Sequence, residues 1–160
     1  MSILDAIPAG SLVALDTVAW IYEFEAHPIF GQVTRELFQD GFGEGAYRAA
    51  CSLLVLGEVL VQPLAKSRTD LADQYRRILA SGPDLTVWPP DRAVIETAAS
   101  LRARYRLRFI DAIHVASAIV HEADFFVTND IGLRTVSEVQ ILILGDYLPP
   151  ASASPPPAPP

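Results

Sequence analysis

Four acidic residues of this chain are embedded in apolar runs, where an ionised carboxylate needs a reason to be. Asp16 lies in Leu12-Val13-Ala14-Leu15-Asp16-Thr17-Val18-Ala19-Trp20-Ile21, and Glu58 in Leu53-Leu54-Val55-Leu56-Gly57-Glu58-Val59-Leu60-Val61. Asp111 lies in Phe109-Ile110-Asp111-Ala112-Ile113, and Asp130 follows Phe125-Phe126-Val127-Thr128-Asn129. None has a Lys or Arg within two residues. An ionised carboxylate buried without a partner is strongly destabilising. Singly, each acid has an ordinary explanation: Asp111 and Asp130 as caps, Glu58 facing solvent, Asp16 bonded to backbone. Jointly they suggest a cage. Four carboxylates within a few Å would repel one another and could not all stay ionised, and a divalent cation removes that conflict. Oxygen-only ligands suit Mg²⁺, with Mn²⁺ as a substitute, rather than zinc or copper. A carboxylate-held Mg²⁺ lowers the pKa of a bound water, and a second ion ~4 Å away stabilises a leaving oxygen, which is phosphodiester hydrolysis.

The elements that would position these acids alternate along the chain. Short apolar strands are predicted over 11–16, 47–51, 85–88, 124–128 and 139–144. Helices are predicted over 18–26 with Thr17 as cap, from Pro28 to about Phe38, and over 53–65 behind Ser52. Further helices run from Thr69 or Asp70 to about Ala80, from Asp91 to about Arg106, and from Phe109 to Glu122. Gly41-Phe42-Gly43-Glu44-Gly45 reads as a flexible loop, and Ser81-Gly82-Pro83 as a helix stop. Strands this short and apolar belong to a parallel sheet covered on both faces, which gives the α/β class. In such sheets the ligand site lies at the carboxyl ends of the strands. Asp16 and Asp130 fall there, Asp111 in the first turn of a helix, and Glu58 a turn or two into another.

Composition closes off other classes. Half of the 160 residues are hydrophobic, which is ample for a core and excludes a disordered chain. One folded domain over 1–148 is expected, followed by a mobile tail over 149–160 made only of Pro, Ala and Ser. No uncharged apolar stretch of ~18 residues exists, so no membrane span is expected. The start reads as no secretory signal, and a single cysteine, Cys51, excludes an internal disulfide. A reducing cytoplasm is the expected home. The net charge of −7 argues against coating nucleic acid by bulk charge, yet Arg102, Arg104, Arg106 and Arg108 form an acid-free run leading into Asp111. Arginine forks suit phosphate, so these four are candidate contacts to a phosphate backbone beside an acidic centre, and RNA-binding candidates if the substrate is RNA.

The segments Leu15-Asp16-Thr17, Ser52 to Val59, Asp111-Ala112-Ile113-His114-Val115-Ala116 and Thr128-Asn129-Asp130, in this order, resemble the PIN-domain nucleases, most closely the VapC-like toxins of toxin–antitoxin pairs. The resemblance spans about residues 11–144. It implies a three-layer α/β/α sandwich on a parallel, roughly five-stranded sheet, and Mg²⁺-dependent cleavage of RNA. It also implies inhibition by an antitoxin protein, and homodimers are frequent in the family. The family's acidic positions fall on Asp16, Glu58, Asp111 and Asp130. Asp16, Glu58 and Asp111 are then metal ligands, with Asp130 completing the cage or holding a metal-bound water. Thr17, Thr128, Asn129 and His114 would orient them. An apolar groove for the antitoxin is sought in residues 18–38, at Trp20, Ile21, Phe24, Ile29 and Phe30, although simple core packing competes for the same residues.

Rival chemistries lack their residues. A receiver-type phosphotransfer domain needs a lysine near its last strand, and Lys66 is the only lysine. Aspartate-nucleophile phosphatases need a second Asp at position 18, which is Val18. The glycine-rich segment lacks a Gly-Lys-Ser/Thr ending, so there is no P-loop. The alternative left standing is a non-catalytic RNA-binding or scaffold protein that keeps the fold.

Overall fold

The computed structural model describes residues 1–80 and 85–149. Five parallel strands form one sheet: β1 (Leu12–Leu15), β2 (Arg48–Ser52), β3 (Leu85–Trp88), β4 (Phe125–Thr128) and β5 (Gln140–Ile143), in the spatial order β3-β2-β1-β4-β5. Between them lie α1 (Thr17–Phe24), α2 (Gly31–Arg35), α3 (Leu54–Val59), α4 (Val61–Ala65), α5 (Thr69–Ala80), α6 (Arg92–Tyr105) and α7 (Phe109–Val120). The α/β sandwich expected from the alternation is the fold observed.

Side chains alternate across the strands, so each strand feeds both layers. Val13 and Leu15, Ala49 and Cys51, and Phe125 and Val127 belong to the core shared with α1, α2, α3 and α5. Ala14, Ala50 and Phe126 belong to the opposite core, with Ala112 and Ala116 of α7 and Val94 and Leu101 of α6. Alanines on the central strands and on α7 let that helix lie close to the sheet. The chain winds outward from β1 through β2 to β3, then crosses back through α6 and α7 to β4 on the other side of β1. The reversal makes the carboxyl ends of β1 and β4 a topological switch point, the usual place for a ligand.

Several boundaries differ from those expected. The cap of α1 is Asp16, whose Oδ1 accepts the Thr17 N–H at 2.7 Å, and not Thr17. The long helix expected over 53–65 divides at Leu60 into α3 and α4. Ser52 ends β2, and its hydroxyl accepts the Leu54 N–H at 3.3 Å. Pro28 precedes the helix it was expected to open; α2 starts at Gly31 and runs on into a π-helical segment over Glu36–Gly43. Asp91 does cap α6, accepting the Val94 N–H at 3.0 Å. The stop at Ser81-Gly82-Pro83 and nearly all of the Pro/Ala/Ser tail, from residue 150 on, lie outside the described residues.

The glycine segment is not a free loop. Gly41 is buried in the π-helical turn, and a Cβ there would lie 2.8 Å from Leu4 Cδ2 and collide with the Tyr47 ring. Tyr47 cannot easily yield, because its hydroxyl donates to the Leu37 carbonyl at 2.5 Å. Gly41→Ala is therefore expected to destabilise the fold by about 1–3 kcal/mol despite the better helix former. A urea titration checks it: an unchanged midpoint would show that the π-helical turn opens freely.

Cys51 gives a second test of packing. Burial in the sheet's core pushes its thiol up to about 12. Since the thiolate is the reactive form, native protein at pH 8 is expected to resist iodoacetamide and to be labelled once unfolded. Labelling at equal rates in both states would place the thiol at the surface.

Candidate active site

The carboxyl ends of β1 and β4 bring two of the acids together. The Asp16 N–H donates to the Val127 carbonyl at 2.9 Å, the last rung joining the two strands. Asp16 Oδ2 accepts the Thr128 hydroxyl at 2.6 Å. The same hydroxyl oxygen accepts the Asp130 N–H at 3.1 Å. Asp130 is exposed and caps the short 3₁₀ turn over Ile131–Thr135, its Oδ1 accepting the Gly132 N–H at 2.8 Å. Asn129 braces the loop: its Oδ1 accepts the Gly145 N–H at 3.1 Å, and its amide lies 3.4 Å from the Tyr22 hydroxyl.

Asp111 enters from the first turn of α7. Both of its oxygens are held by Arg108, Nε at 2.7 Å and Nη2 at 3.0 Å. Asp16, Asp111 and Asp130, with Arg108, Thr128, Asn129, Val18 and Tyr22, line one open cleft of about 320 Å³. Desolvation by burial holds Asp16 above the ordinary carboxylate range, against the pull of the nearby His114 and its hydrogen bonds.

Glu58 stands apart from this lining. Its Oε2 accepts the Thr17 hydroxyl at 2.5 Å and lies 2.6 Å from His114 Nε2. With the carboxylate as acceptor, the Nε2–H tautomer of the imidazole is the one that fits. Burial pushes Glu58 upward, but the hydrogen bonds from His114 and Thr17 outweigh it, and the net shift is downward. His114 is buried on α7, one turn beyond Asp111, so a single helix serves both acids.

The four arginines separate. Arg104 pairs with Glu138 at 2.9 Å, and Arg102 lies over the Phe109 ring, 5.5 Å from its centroid. Arg106 follows the end of α6 in the left-handed conformation, at φ 59°. Arg108 alone lines the cleft. Of the apolar candidates in 18–38, Trp20 is fully buried in the core, Ile29 is largely exposed, and Phe30 stacks on Tyr22 at 4.7 Å. Val18 and Tyr22 were missed as cleft residues. Their signal was present: they stand at i and i+4 on the helix that Asp16 caps, hence on one face.

The donor chemistry fits a hard cation. Among the described residues, no three His, Cys, Asp or Glu side chains stand close enough to surround one ion as they lie. Mg²⁺ does not require that, since it keeps several waters and takes one or two carboxylates plus substrate phosphate. An open cleft lined by three carboxylates and no sulfur or imidazole meets those demands.

The sequence matches the family model of the PIN domain over residues 13–139. The chain belongs to the PIN domain family. All four carboxylates lie inside the matched stretch of this PIN domain. A comparison with curated proteins finds no match. Among solved structures, the fold is similar to VapBC2 from Rickettsia felis bound to a fragment of its promoter DNA. The TM-score is 0.63 at 18% identity, covering 82% of this chain and 98% of that one. It is also similar to the Mycobacterium tuberculosis VapC20, a toxin that cleaves the Sarcin-Ricin loop, with TM-score 0.63 and 18% identity over 80% of this chain and 98% of that one. A toxin–antitoxin complex from Klebsiella pneumoniae is similar at TM-score 0.56 and 18% identity, over 82% and 97% of the two chains. At these identities the likeness is one of fold. Among the described residues, no helix of this PIN domain is long and apolar enough to cross a membrane.

Proposed function

We propose that this PIN domain is a Mg²⁺-dependent endoribonuclease, acting in the cytoplasm as the toxin of a toxin–antitoxin pair. The observation that carries the reading is the convergence of Asp16, Asp111 and Asp130, with one arginine, on a single cleft at the switch point of the sheet. Asp16 and Asp111 are the carboxylates that would hold Mg²⁺, and Asp130, held at the rim, orients a water. When bound, the ion supplies an activated water at neutral pH and charge stabilisation for the phosphoryl oxygens. The chain's own residues do the rest. Thr128 fixes Asp16 and the Asp130 backbone from one hydroxyl. His114 and Thr17 hold Glu58 ionised beside the site, which deepens the negative field that attracts a cation. Among the described residues that line the cleft, Arg108 alone offers a positive charge for a backbone phosphate.

The solved structures of similar fold include toxin–antitoxin complexes and a toxin that cleaves the Sarcin-Ricin loop. These support an antitoxin partner and an RNA substrate. The test is cleavage of a mixed RNA pool by the purified full chain, with Mg²⁺ and with EDTA. Cleavage that requires the metal is expected. A folded, partner-free chain that cleaves no RNA in Mg²⁺ would overturn the reading in favour of a binding role.

A further inference from the structure

Arg108 and Asp111 form a two-pronged ion pair in the cleft, at 2.7 and 3.0 Å, and nothing in the hydrolysis reading explains it. A planar guanidinium laid across both carboxylate oxygens occupies the edge a chelated divalent cation would take, so the two compete for Asp111. The pair is lopsided. The Asp111 side chain is 19% exposed, whereas Arg108 is 84% exposed, so the carboxylate belongs to the cleft and the arginine reaches it from solvent. Among the described residues, the Arg108 side chain makes no other hydrogen bond. The helix dipole does not account for the arginine either. It precedes the first turn of α7, where the helix dipole disfavours positive charge.

We propose that Arg108 is an internal counter-cation with two positions. Closed on Asp111, it neutralises that carboxylate while no metal is bound. When a divalent cation takes Asp111, the guanidinium is released toward solvent, where it holds the phosphate of the incoming RNA. This inference rests on the metal-dependent reading above. It gives the site an order of loading: metal entry creates the free arginine that the substrate needs.

The test uses the full chain and Mn²⁺ as the probe. Bound ion is followed by the loss of the free Mn²⁺ spin-resonance signal, without RNA. Wild type is compared with R108Q and with R77Q, a charge-matched change on the exposed side of α5. Removing the competing guanidinium is expected to tighten Mn²⁺ binding about threefold to tenfold in R108Q, with R77Q within about twofold of wild type. The KM for a single-stranded RNA oligonucleotide at saturating metal is expected to rise in R108Q while kcat changes less. Equal Mn²⁺ affinity in wild type and R108Q overturns the proposal and leaves the metal site standing. Tighter Mn²⁺ with an unchanged KM overturns the two-position device. Absence of Mn²⁺ binding in all three proteins overturns the metal reading, and this inference with it.

Discussion

Asp16→Asn is expected to abolish RNA cleavage while leaving the fold as stable as wild type or more so. The carboxylate sits between the Thr17 N–H and the Thr128 hydroxyl, and asparagine can satisfy both positions: its oxygen accepts from Thr17, and its amide donates to Thr128 once that hydroxyl turns. What is lost is the charge. A ligand that no longer neutralises the ion removes several kcal/mol of metal-dependent stabilisation, or about a thousandfold in rate. The effect on stability has the opposite sign. Because burial raises the folded-state pKa of Asp16, its favourable contribution to folding is present in full below the ordinary value of 3.8. It is lost as the pH rises through the raised folded value. Above that raised value the ionised side chain is therefore a burden that asparagine lifts. Paired measurements decide it: cleavage rate in Mg²⁺, and Tm with and without the ion. Mg²⁺ should raise the Tm of wild type, by binding only the folded state, and leave that of Asp16→Asn unchanged. Cleavage surviving in the variant would remove Asp16 from the machinery.

Trp20→Ala is expected to cost about 3–5 kcal/mol, a large part of the roughly 5–15 kcal/mol by which domains of this size are stable. Trp20 has no exposed surface. Its ring lies edge-on to Phe38 at 4.9 Å and parallel to Phe24 at 6.2 Å. The residue had been a candidate anchor for a partner, and its burial makes it a pillar of the core instead. Any loss of antitoxin binding in Trp20→Ala is thus expected to follow from unfolding. Ile29→Ala is the contrasting variant. Ile29 is largely exposed, and its loss should change stability by no more than about 0.5 kcal/mol. Urea titration of both variants distinguishes the cases. A Trp20→Ala protein with a wild-type midpoint would return the indole to the surface.

The sequence carried the outline of the site because its signals were chemical. An acid within an apolar run is conspicuous whatever fold surrounds it, and strand ends follow from short apolar runs between helical stretches. Asp16, Asp111 and Asp130 became cleft residues on those grounds. Glu58 was conspicuous for the same reason; its bonds to Thr17 and His114 set it beside the cleft lining, and a one-dimensional pattern does not carry such rotamers. The Arg108–Asp111 pair is invisible among nearest sequence neighbours, because partners across a helical turn stand three or four residues apart. The spacing of two already put the arginines on different helix faces, with only part of the run expected at a groove. The structure separates them further: α6 ends at Tyr105, and the left-handed Arg106 redirects the chain. The π-helical turn at Gly41 was not legible at all. Glycine clusters read as loops, and only the Tyr47 ring above explains why this one must be bare.

The single hydroxyl of Thr128 that ties Asp16 to the Asp130 backbone also fixes when the site can exist. Asp16 and Thr128 are 112 residues apart in sequence. A ribosome adding 5–20 residues per second needs roughly 6–22 s between them. For most of that interval the nascent chain carries the first carboxylate without the helix bearing Asp111, and β4 is complete only at its end. On the proposed reading, a nuclease that acts on RNA is thus inert until α7 and β4 have both been made, by connectivity alone. The same interval is the window in which a partner already present could meet the chain before the cleft closes into shape.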